Sequence, residues 1–154
     1  MSAELELAEE MVELTPEVDA ELFAGDDPDS PEFGRRLERI TDRMFERYFH
    51  PDFELRSMLV AFGGGRPYRG REGLMRWATD VATGFSSFVR RGLEVTEIAP
   101  GAILIGLRAE AVGRLSGAPI EFDTWSACRF DDGRLRSFET FDTRDQALNM
   151  LTGE

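Results

Sequence analysis

Between Phe88 and Phe141 four strand-like runs follow one another with only turn residues between them, and this succession constrains the fold more than any other feature of the chain. The runs cover 88–98, 103–115, 120–130 and 135–141, separated by Pro100-Gly101, Ser116-Gly117-Ala118-Pro119 and Asp131-Asp132-Gly133. Connections this short join antiparallel neighbours, because a parallel pair needs a crossover of a dozen or more residues. Upstream the period changes. Phe33, Leu37, Ile40, Met44, Phe45 and Tyr48 recur at helical spacing after the Ser30-Pro31 cap signal, and His50-Pro51 ends the pattern. A strand is expected over 53–60, a glycine-rich loop over 62–70, and a second amphipathic helix over 71–84. A last short helix is expected over 144–151. At the start, Leu7, Met11 and Leu14 predict a weak helix or a tail over 2–14, and Thr15-Pro16 predicts a new short helix over 16–24, stopped by Gly25. The order makes the chain α+β.

Its 154 residues suit one domain with one core, and 42% hydrophobic with 31% charged residues is a globular balance. The charge is segregated. All eighteen basic residues are Arg and lie at or beyond Arg35, whereas the first thirty-four residues carry twelve acids, so the body balances near zero and the acidity is N-terminal. A neutral body with an acidic end offers nothing to phosphates, so neither nucleic acid nor an anionic membrane is expected as a partner. The absence of lysine excludes Schiff-base and lysine-nucleophile chemistry. One cysteine, Cys128, and one histidine, His50, provide no internal disulfide and no Cys/His zinc site, and no metal or other cofactor is expected. With neither a secretory leader pattern nor an apolar run of spanning length, the expected location is cytoplasmic.

Several stretches together resemble the SnoaL-like branch of the nuclear transport factor 2 (NTF2-like) superfamily. They are Tyr48-Phe-His-Pro-Asp-Phe-Glu-Leu-Arg, Pro67-Tyr-Arg-Gly-Arg-Glu-Gly-Leu, Ser116-Gly, Arg129-Phe-Asp-Asp-Gly-Arg-Leu and Phe141-Asp-Thr-Arg-Asp-Gln-Ala-Leu. The resemblance covers about residues 33 to 152. It implies a cone, in which a curved antiparallel sheet wraps around a long helix and encloses a pocket, and it implies homodimerisation through the outer face of the sheet. On this reading residues 1–29 are an acidic extension, a tail or short helices, and 30–154 are the SnoaL-like domain.

Members of that superfamily include isomerases, cyclases, epoxide hydrolases and binding modules, so the site must decide the function. Strand alternation places Arg108 and Glu110 on one face, and Ser137, Glu139 and Phe141 on another shared face. For the run over 121–130 two sets remain open: Asp123 with Trp125, or Thr124, Ser126 and Cys128, whose small polar residues among apolar ones would suit a pocket wall. The arginine with two acids resembles the limonene epoxide hydrolases, which implies Glu110 and Glu139 as an acid/base pair oriented by Arg108. Two carboxyls brought together in an apolar pocket cannot both ionise easily, which splits them into an acid and a base. Asp123 is the rival carboxylate, by resemblance to the cyclases. The alternative reading of Arg108 and Glu110 is an exposed ion pair worth about 0–1 kcal/mol. Tyr48, Trp77, Ser126 and Phe141 are the expected ligand contacts, and the large aromatic supply favours a hydrophobic small-molecule partner. Cofactor-independent isomerisation, cyclisation or epoxide opening is the expected function; the alternative is a non-catalytic ligand-binding or dimeric interaction module.

Overall fold

The computed structural model describes residues 2–25, 27–57 and 66–153. The chain begins with α1 (Ala3–Leu22) and α2 (Pro31–Tyr48), enters β1 (Phe49–Ser57), and passes through the two-residue β2 (Tyr68–Arg69) into α3 (Gly70–Gly84). Four long strands follow, β3 (Phe85–Ala99), β4 (Ala102–Gly113), β5 (Pro119–Asp131) and β6 (Arg134–Phe141), and α4 (Arg144–Thr152) closes the chain. The end of the expected first strand and residues 62–65 of the glycine-rich loop lie outside the described residues, while the rest of that loop carries β2 and the first residue of α3.

The strands form one six-stranded sheet in the order β2-β1-β6-β5-β4-β3. The meander from β3 to β6 is antiparallel as expected, and Asp132 and Gly133, both at positive φ, supply the left-handed turn that a tight hairpin requires. One expectation is corrected. The sheet is mixed rather than wholly antiparallel, since β1 runs parallel to β6. Register shifts at Gly92/Glu94 and Glu97/Ala99 between β3 and β4, and at Arg129/Phe130 between β5 and β6, are the irregularities that let a sheet curl.

Local chemistry sets the helix ends. The Ser30 side chain accepts from the Phe33 amide and Pro31 opens α2, while Thr143 and Gln146 cap α4 reciprocally. The first helix corrects a second expectation: Thr15-Pro16 starts no new helix, and α1 is continuous through Pro16. Proline inside a helix costs about 3 kcal/mol in isolation, so tertiary packing holds this one. Ala8 is fully buried, Leu22 nearly so, and α1 lies along β3, where Gly92 gives it room. A Cβ on Gly92 would stand 2.5 Å from Val12 Cγ1. The acids of α1 meet α2: Glu10 accepts from Arg47 at 2.7 Å and Tyr48 at 2.6 Å, and Glu21 from Arg43 at 2.7 Å. The core therefore lies on two sides of the sheet. Phe53, Leu55, Ile103, Ile105, Leu107 and Leu135 face the helices α1 to α3, and Leu104, Ala127 and Phe141 on the other face are covered by Ala147 and Leu151 of α4.

Candidate ligand cavity

Alternation along β4 decides what faces inward. Ile103, Ile105, Leu107, Ala109 and Ala111 are buried on the inner face; Arg108 and Glu110, on the other parity, are exposed on the outer face. Between the inner face and the three helices lies a partly open cavity of about 150 Å³. From α1 it is lined by Met11, Val12, Thr15, Val18, Asp19 and Leu22; from α2 by Leu37, Ile40, Thr41 and Met44; from α3 by Leu74, Trp77 and Ala78. The sheet contributes Phe49, Phe53, Leu55, Arg90, Ile105, Leu107, Leu135 and Phe138.

Four of these lining residues are polar. Thr15 donates its hydroxyl to the Met11 carbonyl at 2.8 Å and Thr41 to the Leu37 carbonyl at 2.7 Å, each within its own helix. The other two form one unit. Asp19 is 2% exposed, and its Oδ2 accepts from the Arg90 amide at 2.9 Å and Nε at 3.0 Å, while Oδ1 accepts from Nη2 at 2.8 Å. The Arg90 guanidinium also lies 5.0 Å from the Trp77 ring centroid and 5.5 Å from that of Phe88. A bidentate pair with flanking rings is a rigid, strongly oriented arrangement. The geometry follows from two parities: Arg90 shares an inward face with Phe88 on β3, and Asp19 falls on the apolar stripe of α1 with Thr15 and Leu22.

The predicted acid, arginine, acid grouping does not assemble in this cavity. On the outer face Arg108 donates to Asp123 Oδ1 at 2.8 Å and Oδ2 at 3.3 Å, with Glu121 at 3.7 Å, and the Arg108 hydrogen bond holds the Asp123 carboxyl below its usual range. Glu110 is opposite Glu121, whereas Glu139 is opposite Ala127 and Arg56. At about 3.4 Å per residue along β5 the two glutamates stand about 20 Å apart. Neither Glu110 nor Glu139 lines the cavity. Solvent and an outward strand parity account for all four placements: Arg108, Glu110 and Asp123 form the exposed charge pattern of the sheet, and Glu139 shares the outer face with Phe141.

Of the expected ligand contacts, Trp77 lines the cavity. Tyr48 is buried but lies outside the cavity lining, with its hydroxyl on Glu10. Phe141 packs under α4 on the opposite face. Ser126 belongs to the inward set with Thr124 and Cys128, which settles the open choice of face, but its hydroxyl is 3.1 Å from that of Thr140 and it is not part of the lining. Cys128 is fully buried, and burial pushes its thiol up. Tyr68 donates to Asp80 at 2.7 Å, and burial with this bond pushes the phenol up to about 12. Asp19 and Arg90 were missed. Asp19 was visible as a charged residue inside an otherwise apolar helical set, but the predicted break at Pro16 hid it; Arg90, between Phe88 and Gly92 with Glu94 beyond, carried no such signal. Among the described residues no group of three or more His, Cys, Asp or Glu side chains is placed to hold a metal ion.

The architecture is that of the NTF2-like proteins, a curled sheet around helices. A structural neighbour is an NTF2-like protein of unknown function from Burkholderia pseudomallei, at 16% identity over 99% of each chain with a TM-score of 0.64. A candidate polyketide cyclase from Acidithiobacillus ferrooxidans aligns at 16% identity over 99% of this chain and 96% of its own, TM-score 0.61. A candidate SnoaL-like polyketide cyclase from Jannaschia aligns at 11% identity over 96% and 92%, TM-score 0.58. The chain thus has the fold shared by NTF2-like and SnoaL-like proteins. No protein-family model and no curated protein matches its sequence.

Proposed function

We propose that the protein is a SnoaL-like small-molecule protein that binds one compact hydrophobic molecule inside the cone. The observation that carries this reading is the cavity of about 150 Å³ walled by aliphatic and aromatic side chains from three helices and the sheet. An engineered apolar cavity of about this size stays dry and takes up benzene. The size therefore points to a single-ring ligand rather than a steroid or a fused polyketide. A ligand present at 100 times its Kd stabilises the folded state by about 2.7 kcal/mol, which at about 2–4 °C per kcal/mol raises the Tm by about 5–11 °C. Titration with toluene, followed by Tm and by Trp fluorescence, should give that rise. Val18→Phe, which places a ring in the cavity from α1, should remove it. A Tm unmoved by toluene up to its solubility would defeat the reading.

A second reading, catalysis, has one specific observation in its favour. Among the described residues Asp19 is the one carboxylate on the cavity wall, and it is gripped by an arginine. That is the carboxylate-on-arginine grouping expected at Glu110 and Arg108, built instead from α1 and β3. A carboxylate offers about four lone-pair sites and three N–H groups already occupy Asp19, so Oδ1, with one donor, keeps room for a proton. Acid/base chemistry on an enolisable ketone or an epoxide would run through that oxygen, and Asp19→Asn would abolish it while Glu139→Gln and Glu110→Gln would not. Turnover lost on Glu139→Gln would return the outer-face acids to the mechanism.

A further inference from the structure

Resting on the cavity reading above, we infer that Arg90, held by Asp19, makes the site selective for a compact ring bearing an uncharged hydrogen-bond acceptor, a carbonyl oxygen above all. A guanidinium has five N–H donors, and Asp19 engages two of the Arg90 set, one on Nε and one on Nη2. Among the described residues the guanidinium meets no other acceptor, so three donors remain on a residue of the cavity wall. The Arg90 side chain is 18% exposed and lies against the rings of Trp77 and Phe88, and its Nη1 is not among the buried atoms that lack a partner, so these donors are open to water or to a ligand. Thr15 and Thr41 have committed their protons to helix carbonyls. Besides the Trp77 indole N–H, Arg90 accordingly has the uncommitted side-chain donors among the described residues of this wall, and it alone offers several on one charged group.

Charge decides between kinds of acceptor. Asp19 and Arg90 together are neutral, so a carboxylate ligand would bring an uncompensated charge into a desolvated site and compete with Asp19 for the same guanidinium. A carbonyl takes the hydrogen bond without that charge. A protonated amine would bring a second positive charge beside the Arg90 guanidinium, with one lone pair of Asp19 Oδ1 left to receive it. A hydrocarbon fits the walls but leaves the Arg90 donors unmet.

The test uses three probes of nearly one shape, benzaldehyde, toluene and benzoate, titrated into the full chain by calorimetry. Because the sequence contains no lysine, benzaldehyde has no lysine side chain to condense with. Binding of benzaldehyde about tenfold tighter than toluene, with benzoate weaker than either, is expected. In Asp19→Leu/Arg90→Met, which removes both charges together, the preference for benzaldehyde should vanish while toluene still binds. Equal affinities for benzaldehyde and toluene in the unmodified protein, with both binding, would overturn the selectivity and leave the cavity reading standing. Failure of all three to bind would overturn both. Should the double variant not fold, the carbonyl stretching band of bound benzaldehyde in the unmodified protein decides. A shift to lower frequency on binding supports the bond to Arg90, and a band at its hydrocarbon-solvent position refutes it.

Discussion

Removing the Asp19 carboxylate while keeping its shape tests how α1 is held. In Asp19→Asn the bidentate pair is lost, because an amide presents one acceptor oxygen where Nε, Nη2 and the Arg90 amide now share two. An amide NH₂ is also turned toward donors. Arg90 is left with a charge at 18% side-chain exposure and no other acceptor among the described residues. Breaking one partner of such a buried pair costs about 3–5 kcal/mol; the oxygen that Asn retains places this case near 3 kcal/mol. At about 2–4 °C per kcal/mol for a chain of this size, the Tm should fall by about 6–12 °C. Urea unfolding read by Trp fluorescence gives the free energy, and the ring of Trp77, 5.0 Å from the Arg90 guanidinium carbon, reports the site. The control is Asp19→Leu/Arg90→Met. Apolar replacement of a whole buried pair is often neutral or stabilising, so the double variant should recover most of the loss and the double-mutant cycle should show strong coupling. A loss below about 1 kcal/mol for Asp19→Asn, the size of an exposed pair, would refute the claim that this pair fixes α1 to the sheet.

Exposed ion pairs on the outer face should behave oppositely: Arg108→Ala and Glu110→Gln should each change stability by less than about 1 kcal/mol in denaturant titration and leave toluene affinity unaltered. Gly92→Ala sets a methyl against Val12 Cγ1 and should cost about 1–3 kcal/mol, measured by the same unfolding curves. Glu94 is held down to about 2 by hydrogen bonds from Arg144 and Thr96. A depressed carboxylate contributes stability that is present above its unfolded pKa, about 4.3, and lost as pH falls through the folded one. The stability gap between the unmodified protein and Arg144→Gln should therefore be full at pH 7 and close between about pH 4.3 and 2. Tyr48 and Tyr68 are both raised, burial being the first cause, Tyr68 to about 12, so ultraviolet titration of the folded protein should find less phenolate at pH 10 than the same chain unfolded in urea.

Much of this fold was legible because local signals agreed with tertiary structure. Ser30-Pro31 and His50-Pro51 bracket α2 closely, the Asp132-Gly133 turn sets the last hairpin, and the apolar set from Ile103 to Ala111 runs along the inner face of β4. Direction was not legible: alternation carries no sign of whether a neighbouring strand is parallel, so the β1 and β6 pairing had no signature in the chain. Continuity of α1 was hidden for a different reason. Thr15-Pro16 is a sound start signal locally, and only burial of Ala8, Val12 and Leu22 against the body outweighs it. The placement of the expected site residues outside the cavity follows from these. Arg108 and Glu110 do share a face, as alternation required, but the rival parity of β4 was uniformly apolar and therefore the inward one. Asp19 could be read as a wall residue only once α1 was continuous.

The central claim is that a ligand-sized, largely apolar space lies between α1 and the inner face of the sheet. A crystal of the protein held under xenon pressure tests it without assuming any substrate. The account predicts xenon in the cavity, in contact with Val18, Trp77 and Leu107, with α1 in place and the Asp19 to Arg90 bonds intact. Side chains filling that space, or xenon bound only elsewhere, would contradict it.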